Sequence, residues 1–300
     1  MAKFRKTYDV ATVEDRHPGK GWDMGELLGI WDGATHGVHR PTVSVIIPAM
    51  NEARNLPHVA ARMPADIDEI VFVDGNSVDD TVAVARRLWP YAKMVTQTRK
   101  GKGNALACGF EVATGDIIVM IDADGSTDPT EIKRFVAALT SGADFAKGSR
   151  FIQGGGSADI TKFRRLGNWG LNLIVNVLFG TKYTDLCYGY NAFSRKCLEV
   201  MNLPDTSLAE AQWGDGFEIE TLINVRVAAS AMRIAEVHSY EANRIHGESN
   251  LNAIKDGTRV LRTIRREYVG ARRNRPVVQF SQTELIRDLA PVGVSAEQAS

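Results

Sequence analysis

From Thr42 onward the chain sets short, mostly apolar runs against longer stretches in which apolar and polar residues recur with helical spacing. The runs are Val43-Ser44-Val45-Ile46-Ile47, Asp68-Glu69-Ile70-Val71-Phe72-Val73-Asp74 and Ile117-Ile118-Val119-Met120-Ile121, all rich in β-branched side chains. They are too short for most helices and predict strands buried on both faces. A shorter strand is expected near Lys93 to Thr96. Helices are expected after Glu52, from Asp79 or Asp80 through Leu88, from Ala105 to about Ala113, and from Pro129 to Leu139. Strand and helix alternating at roughly 25-residue spacing predict an α/β fold around a doubly wound, mostly parallel sheet.

Outside this alternation the pattern weakens. Residues 1–40 are glycine-rich, mixed in charge and weakly periodic, so they read as an N-terminal extension without assigned chemistry, whose Trp22 and Trp31 pack on the domain. Residues 41–243 form the main domain, 244–275 a basic amphipathic segment packed on or near the site, and 276–300 a loosely ordered tail. Lysine plus arginine and aspartate plus glutamate both number 36, so a global polyanion-binding role, nucleic acid included, has no support. Cys108, Cys187 and Cys197 show no CxxC or zinc-type spacing and fit a reducing cytoplasm. No run of about 18 apolar residues occurs, so a membrane span is not expected, while attachment to a membrane surface stays open.

The strand ends carry the chemistry. The first run leads into Pro48-Ala49-Met50-Asn51-Glu52, the second into Gly75-Asn76-Ser77-Val78-Asp79-Asp80-Thr81, and the third into Asp122-Ala123-Asp124. In an open α/β sheet ligands bind beyond the carboxyl ends of the strands. Two carboxylates one residue apart offer an oxygen-rich site to a hard cation such as Mg²⁺ or Mn²⁺, which shares its shell with substrate phosphates. The same pair could instead cap the next helix, for which Thr127-Asp128-Pro129 is a good start. Acids at Glu52, Asp74 and Asp79 can accept from a base edge or ribose hydroxyls, and Lys102 with a metal can neutralise phosphates. The set suits one mononucleotide across the strand tips. The first turn lacks GxGxxG, and no GxxxxGK[ST] occurs, which excludes a dinucleotide-binding turn and a P-loop.

In content and order these motifs resemble those of family 2 glycosyltransferases with the GT-A fold. The carrying residues are Val43 to Glu52 (VSVIIPAMNE), Asp74 to Thr81 (DGNSVDDT), Gly101 to Ala105 (GKGNA) and Asp122-Ala123-Asp124, the family's DxD motif. Further on, Lys147 to Phe151, Thr184 to Phe193 and Arg244 to Leu251 are similar to dolichol-phosphate mannose synthase-like enzymes. The resemblance implies a Rossmann-like nucleotide half and a smaller acceptor-side portion. It also implies inverting, metal-dependent transfer of a hexosyl group from a UDP- or GDP-sugar to a polyprenyl phosphate, at the cytoplasmic face of a membrane. Pro48, Glu52, Asp74 and Asp79 would hold the nucleoside, and Asp124, beside Asp122, would be the chief metal ligand. Ala49, Lys102, Ala123 and Ser249 would complete the nucleotide-sugar site. Met50 stands where an aromatic residue is common, which leaves the base open. Ser126 replaces a frequent glutamine. Asn250 replaces a usual lysine, leaving Arg150 and Arg244 to neutralise the leaving group. The same chemistry on a soluble or polysaccharide acceptor is the first alternative. A sugar nucleotidyltransferase is the second, although its glycine-rich, basic first turn is nearly opposite in charge to Pro48–Glu52.

An alcohol acceptor needs a general base, for which Asp185 is preferred over Glu218 and Glu220; a phosphate acceptor is already an ionised nucleophile and needs cations instead. His246 is either a surface residue or, as neutral imidazole, a metal ligand. Trp169 to Gly180, behind Lys162, Arg164 and Arg165, either lies in a membrane interface, lines a prenyl groove, or is a core or homodimer helix whose partner satisfies Asn168, Asn172 and Asn176. In residues 244–275, Ile254, Leu261, Ile264 and Tyr268 are expected on one face and Lys255, Arg259, Arg262 and Arg266 on another. That segment is either a membrane-surface helix or a helix docked on the domain.

Overall fold

The computed structural model describes residues 40–230, 232–247 and 253–273; Trp22, Trp31, Ser249, Asn250 and the tail from 276 lie outside them. The first half runs β1 (Val43–Ala49), α1 (Leu56–Ala61), β2 (Glu69–Asp74), α2 (Thr81–Leu88), β3 (Lys93–Thr96), α3 (Lys102–Val112), β4 (Ile117–Met120) and α4 (Ile132–Thr140). The rest comprises β5 (Phe145–Ser149), β6 (Gly156–Ser157), α5 (Lys162–Phe179), β7 (Asn191–Ser194), α6 (Cys197–Met201), α7 (Ile219–Ala229), β8 (Ile234–His238), β9 (Tyr240–Glu241) and α8 (Ala253–Arg273). Seven strands form one sheet in the order β3-β2-β1-β4-β7-β5-β8; β6 and β9 pair separately. Only β7 runs antiparallel to its sheet neighbours.

The apolar runs form strands because both sheet faces are covered. Side chains alternate along a strand, so Val45 and Ile47 face α1, α2 and α4 through Leu56, Val59, Ala85 and Phe135. Ile46, Ile118 and Met120 face α3 and α7 through Leu106, Phe110, Ile219 and Ile223. The strand order reverses between β1 and β4, the switch point where a crevice opens in such sheets. The register then fixes what stands there. Ala49 pairs with Asp74, and Ile46 lies abreast of Met120, which lies abreast of Asn191 and so of Lys147. β1, β4 and β5, parallel to one another, end at Ala49, Met120 and Ser149, so the loops that follow them open at one edge of the sheet.

Several local expectations change. α3 begins at Lys102, not at Ala105. The helix expected at Pro129 starts with a 3₁₀ turn, Pro129–Glu131, and Asp128 caps it by accepting from the Thr130 amide at 3.0 Å. Asp122 and Asp124 therefore do not cap that helix. α5 is inverted relative to a core helix. Its asparagines point inward, where Asn168 donates to Asp185, Asn172 to the Thr184 carbonyl and Asn176 to the Tyr183 carbonyl. Its apolar residues 163, 166, 169, 173 and 177 are exposed. The asparagines thus meet the core partner expected of them, while the apolar side lies at the surface rather than in the core. α8 docks on the domain, with Val260 and Ile264 buried against α5 and α7. Leu261, expected on its buried face, is exposed, and Arg266 lies over the Trp213 ring at 5.0 Å.

Candidate active site

Two loops at the ends of β1 and β2 are knitted into one wall. The Gly75 amide donates to the Ala49 carbonyl at 2.7 Å, Asn51 N to Ser77 Oγ at 3.0 Å, and Val78 N to Asn51 Oδ1 at 2.8 Å. Asn51 and Asn76 both take left-handed backbone (φ 59° and 61°), which asparagine tolerates. Asp79 accepts from Thr81 N and Oγ1, and Thr81 Oγ1 in turn accepts from Glu52 N at 2.8 Å. Asp74 accepts from Ser77 N. Pro48, Ala49, Glu52, Asp74 and Asp79, separated in sequence, thus share one surface.

Beside that wall Lys102, the first residue of α3, places Nζ 2.6 Å from Asp122 Oδ1 and 2.6 Å from Glu220 Oε1. Burial alone would push this ammonium down, but the two carboxylates outweigh it and raise its pKa, so it stays charged. The glycines around it serve packing rather than phosphate. A side chain at Gly101 or Gly103 would collide with the Asp215 or Gly214 carbonyl oxygen, and the amides of Gly103 and Asn104 both donate to Asp215 O. That loop is held by Arg99, which clamps the Asp215 carboxylate through two contacts of 2.8 Å.

The second cluster centres on Arg244. Its Nη1 lies 2.8 Å from Glu52 Oε1 and its Nη2 3.2 Å from Asp124 Oδ2, so one guanidinium joins the β1 loop to the aspartate pair. The segment carrying it is strapped over the turn after β4: Ala242 N donates to Ser126 O at 2.8 Å, Ile245 N to Asp124 O at 3.3 Å, and Asn55 Nδ2 to His246 O at 3.0 Å. Asp124 Oδ1 also accepts from Ser126 N and Oγ. Burial pushes the Glu52 carboxyl up, against the pull of Asn55 and Arg244.

Asp122 and Asp124 give a hard, two-carboxylate donor set. That fits a divalent cation whose remaining positions are filled by phosphate oxygens and water. Among the described residues no three His, Cys, Asp or Glu side chains converge on one point, so His246 does not complete a preformed three-ligand shell. Its ring packs against His58, centroids 5.8 Å apart. Slight desolvation, then the charges of Arg54 and His58, lower its pKa and favour the neutral imidazole.

Two expected catalytic residues are elsewhere engaged. Asp185 is fully buried, accepting from Arg150 Nε at 2.7 Å, Arg150 Nη2 at 2.9 Å and Asn168 Nδ2 at 3.0 Å. A carboxylate so saturated and sealed cannot take a proton from an acceptor. Arg150 is likewise buried between Asp185 and Glu241, 2.8 Å from the latter, so its charge is spent inside the protein rather than on a leaving group. Burial opposes the Arg150 charge, but those carboxylates outweigh it and raise the pKa further. Glu218 is structural, buried and accepting from the Gly214 and Gly216 amides at 3.1 and 3.2 Å. Glu220, ranked behind Asp185 from sequence, is the acid that reaches the site. Its pairing with Lys102 spans 118 residues and left no local signal.

A groove of about 600 Å³ opens along α5, lined by Arg150, Phe151, Arg165, Trp169, Leu173 and Tyr183 among others. Among the described residues no helix is long and apolar enough to cross a membrane.

Comparison with known proteins agrees with this geometry. The model of glycosyl transferase family 2 matches residues 44–201. An undecaprenyl-phosphate mannosyltransferase of Micrococcus luteus is 30% identical over 235 residues, covering 74% of this chain and 93% of that protein. A glycosyltransferase of Mycobacterium tuberculosis is 44% identical over 108 residues, 36% of this chain, and the match spans about half of that relative, 48%. Among solved structures, glucosyl-3-phosphoglycerate synthase from Mycobacterium tuberculosis, in complex with Mn²⁺, UDP and phosphoglyceric acid, superposes with a TM-score of 0.62 at 22% identity over 84% of each chain. That likeness shows a shared fold, the GT-A architecture. The family model covers more than half of the chain and the sheet agrees with it, so the chain belongs to glycosyl transferase family 2.

Proposed function

We propose that this protein transfers a hexosyl group from a nucleotide-sugar to a polyprenyl phosphate at a membrane surface, with inversion at the sugar carbon. The observation that carries the reading is the paired arrangement at the sheet's edge, Asp122 with Lys102 and Asp124 with Arg244. Each aspartate is within reach of a cation that could turn to a phosphate oxygen. A divalent Mg²⁺ or Mn²⁺ held by Asp122 and Asp124 would act as a Lewis acid on the leaving diphosphate. The wall of Pro48, Ala49, Glu52, Asp74 and Asp79 would hold the nucleoside, leaving the base identity to the space beside Met50. Lys102 and Arg244 would donate to the diphosphate oxygens as charge develops there.

The buried state of Asp185 favours a phosphate acceptor. A phosphate monoester, with its second pKa at about 6, attacks without a general base. Glu220 would hold Lys102 in place rather than take a proton. The name of the Micrococcus luteus relative and the exposed apolar face of α5 beside the groove support a polyprenyl carrier over a soluble one. The test is incubation with labelled UDP- or GDP-sugars, Mn²⁺ and polyprenyl phosphate, followed by extraction. Label moving into the organic phase is expected; label that becomes non-volatile product only in water would transfer the reading to a soluble acceptor.

A further inference from the structure

We infer that the outward face of α5 seats the protein on a lipid bilayer rich in anionic headgroups, an interaction surface separate from the nucleotide site. The inference rests on the polyprenyl reading only for its purpose, since its observations are independent of the acceptor. Phe163, Leu166, Trp169, Leu173 and Val177 are each more than half exposed, Val177 to 73%. At 100° per residue these five and Ile174 fall within an arc of about 140° along a helix about 27 Å long. Contiguous apolar surface of this kind marks an interaction site.

The geometry also explains why the face is turned out. Asn168, Asn172 and Asn176 tie the opposite side to residues 183–185, while Leu171 and Val175 pack against α7 and α8. The helix is therefore held in this orientation by hydrogen bonds that a rotation would break. Its surroundings select the partner. α5 contains no acidic residue; Lys162 and Arg165 are exposed at its start and Lys182 just past its end. α8, packed beside it, exposes Leu261 and Val269 together with Arg262 and Arg265. Apolar residues rimmed by cations suit the interface of an anionic bilayer. A second copy of the same face is disfavoured, because parallel or antiparallel pairing of two such helices would set cations against cations.

The 300-residue chain, without nucleotide or acceptor, is to be sedimented with vesicles of phosphatidylcholine alone and of phosphatidylcholine with phosphatidylglycerol. Strong binding to the anionic vesicles is expected, falling at least about tenfold at high salt or with neutral lipid. Brominated lipid should quench part of the tryptophan emission in the wild type but not that part in Trp169→Phe. The triple variant Phe163→Ser, Leu166→Ser, Val177→Ser should keep its melting temperature and lose vesicle binding. Vesicle binding that survives this substitution, no binding at all, or a dimer dispersed by it would overturn the proposal. A wild type that binds vesicles yet labels no polyprenyl phosphate would sink the acceptor reading and leave the docking surface standing. Turnover of detergent-dispersed polyprenyl phosphate with no vesicle binding would do the reverse.

Discussion

Lys102 Nζ stands 2.6 Å from Asp122 Oδ1, with Glu220 Oε1 at the same distance on its other side. One cation held between two carboxylates is aimed but not committed, because an arriving diphosphate offers it a third anion. Lys102→Met should lower kcat by about 100- to 1000-fold, the usual cost of one preorganised donor. Glu220→Gln should cost less, because Asp122 still holds the ammonium. Steady-state rates at saturating donor check both; equal losses would instead mark Glu220 as taking part in the chemistry.

Arg244 and Asp124 lead to a prediction on metal removal. Wild type should be stabilised by nucleotide and Mn²⁺ together, by about 2.7 kcal/mol at a hundredfold excess over Kd. EDTA should abolish this gain, and so should Asp124→Asn. Thermal unfolding reads it directly. A variant stabilised as well as the wild type would remove Asp124 from the metal site.

Asp185 should behave as a structural residue. Removing one partner of a buried ion pair typically costs 3–5 kcal/mol, so Asp185→Ala should lower stability by about 3–5 kcal/mol by taking the two-pronged partner from buried Arg150 and leaving it only Glu241 and the Tyr188 ring. Denaturant unfolding measures the loss. Full stability with turnover reduced about 1000-fold would restore the general-base role.

What the sequence revealed and what it hid divide along one physical line. β1, β2 and β4 and the acids at their ends were legible because strand patterning and turn residues are local, and the sheet then carries every such end to one edge. Asp185, Arg150 and Glu220 were not, because a carboxylate's role depends on which cation it meets, and here the partners lie 35 and 118 residues away. For a related reason α5 stayed open between an interface helix and a core helix. An apolar helix with an asparagine stripe normally buries its apolar side, yet backbone carbonyls at residues 183 and 184 supplied partners that turned the stripe inward. The glycines of GKGNA were noticed, but their reason, the close approach of residues 214–216, is tertiary.

Glu69 offers a test of the fold away from the site, at the opposite edge of the sheet. Its carboxylate accepts from Ser44 Oγ at 2.5 Å and from Thr114 N and Oγ1 at 2.8 Å, and lies 2.5 Å from Lys93 Nζ, so it joins the bases of β1, β2 and β3 to the end of α3. Burial pushes this carboxyl up, but the hydrogen bonds from Lys93, Ser44 and Thr114 outweigh it and hold the pKa down to about 2, against an ordinary 4.5. A carboxylate more acidic in the folded than in the unfolded chain stabilises fully above the unfolded value. That contribution is lost as pH falls from about 4.5 through about 2. Glu69→Gln should therefore cost about 1.5–3 kcal/mol near neutrality, with little effect on turnover. The gap between variant and wild type should shrink steadily on acidification. Urea unfolding midpoints across that range check the sign, and a gap that stays constant or widens in acid would show that the ionised form of Glu69 does not hold these strands together.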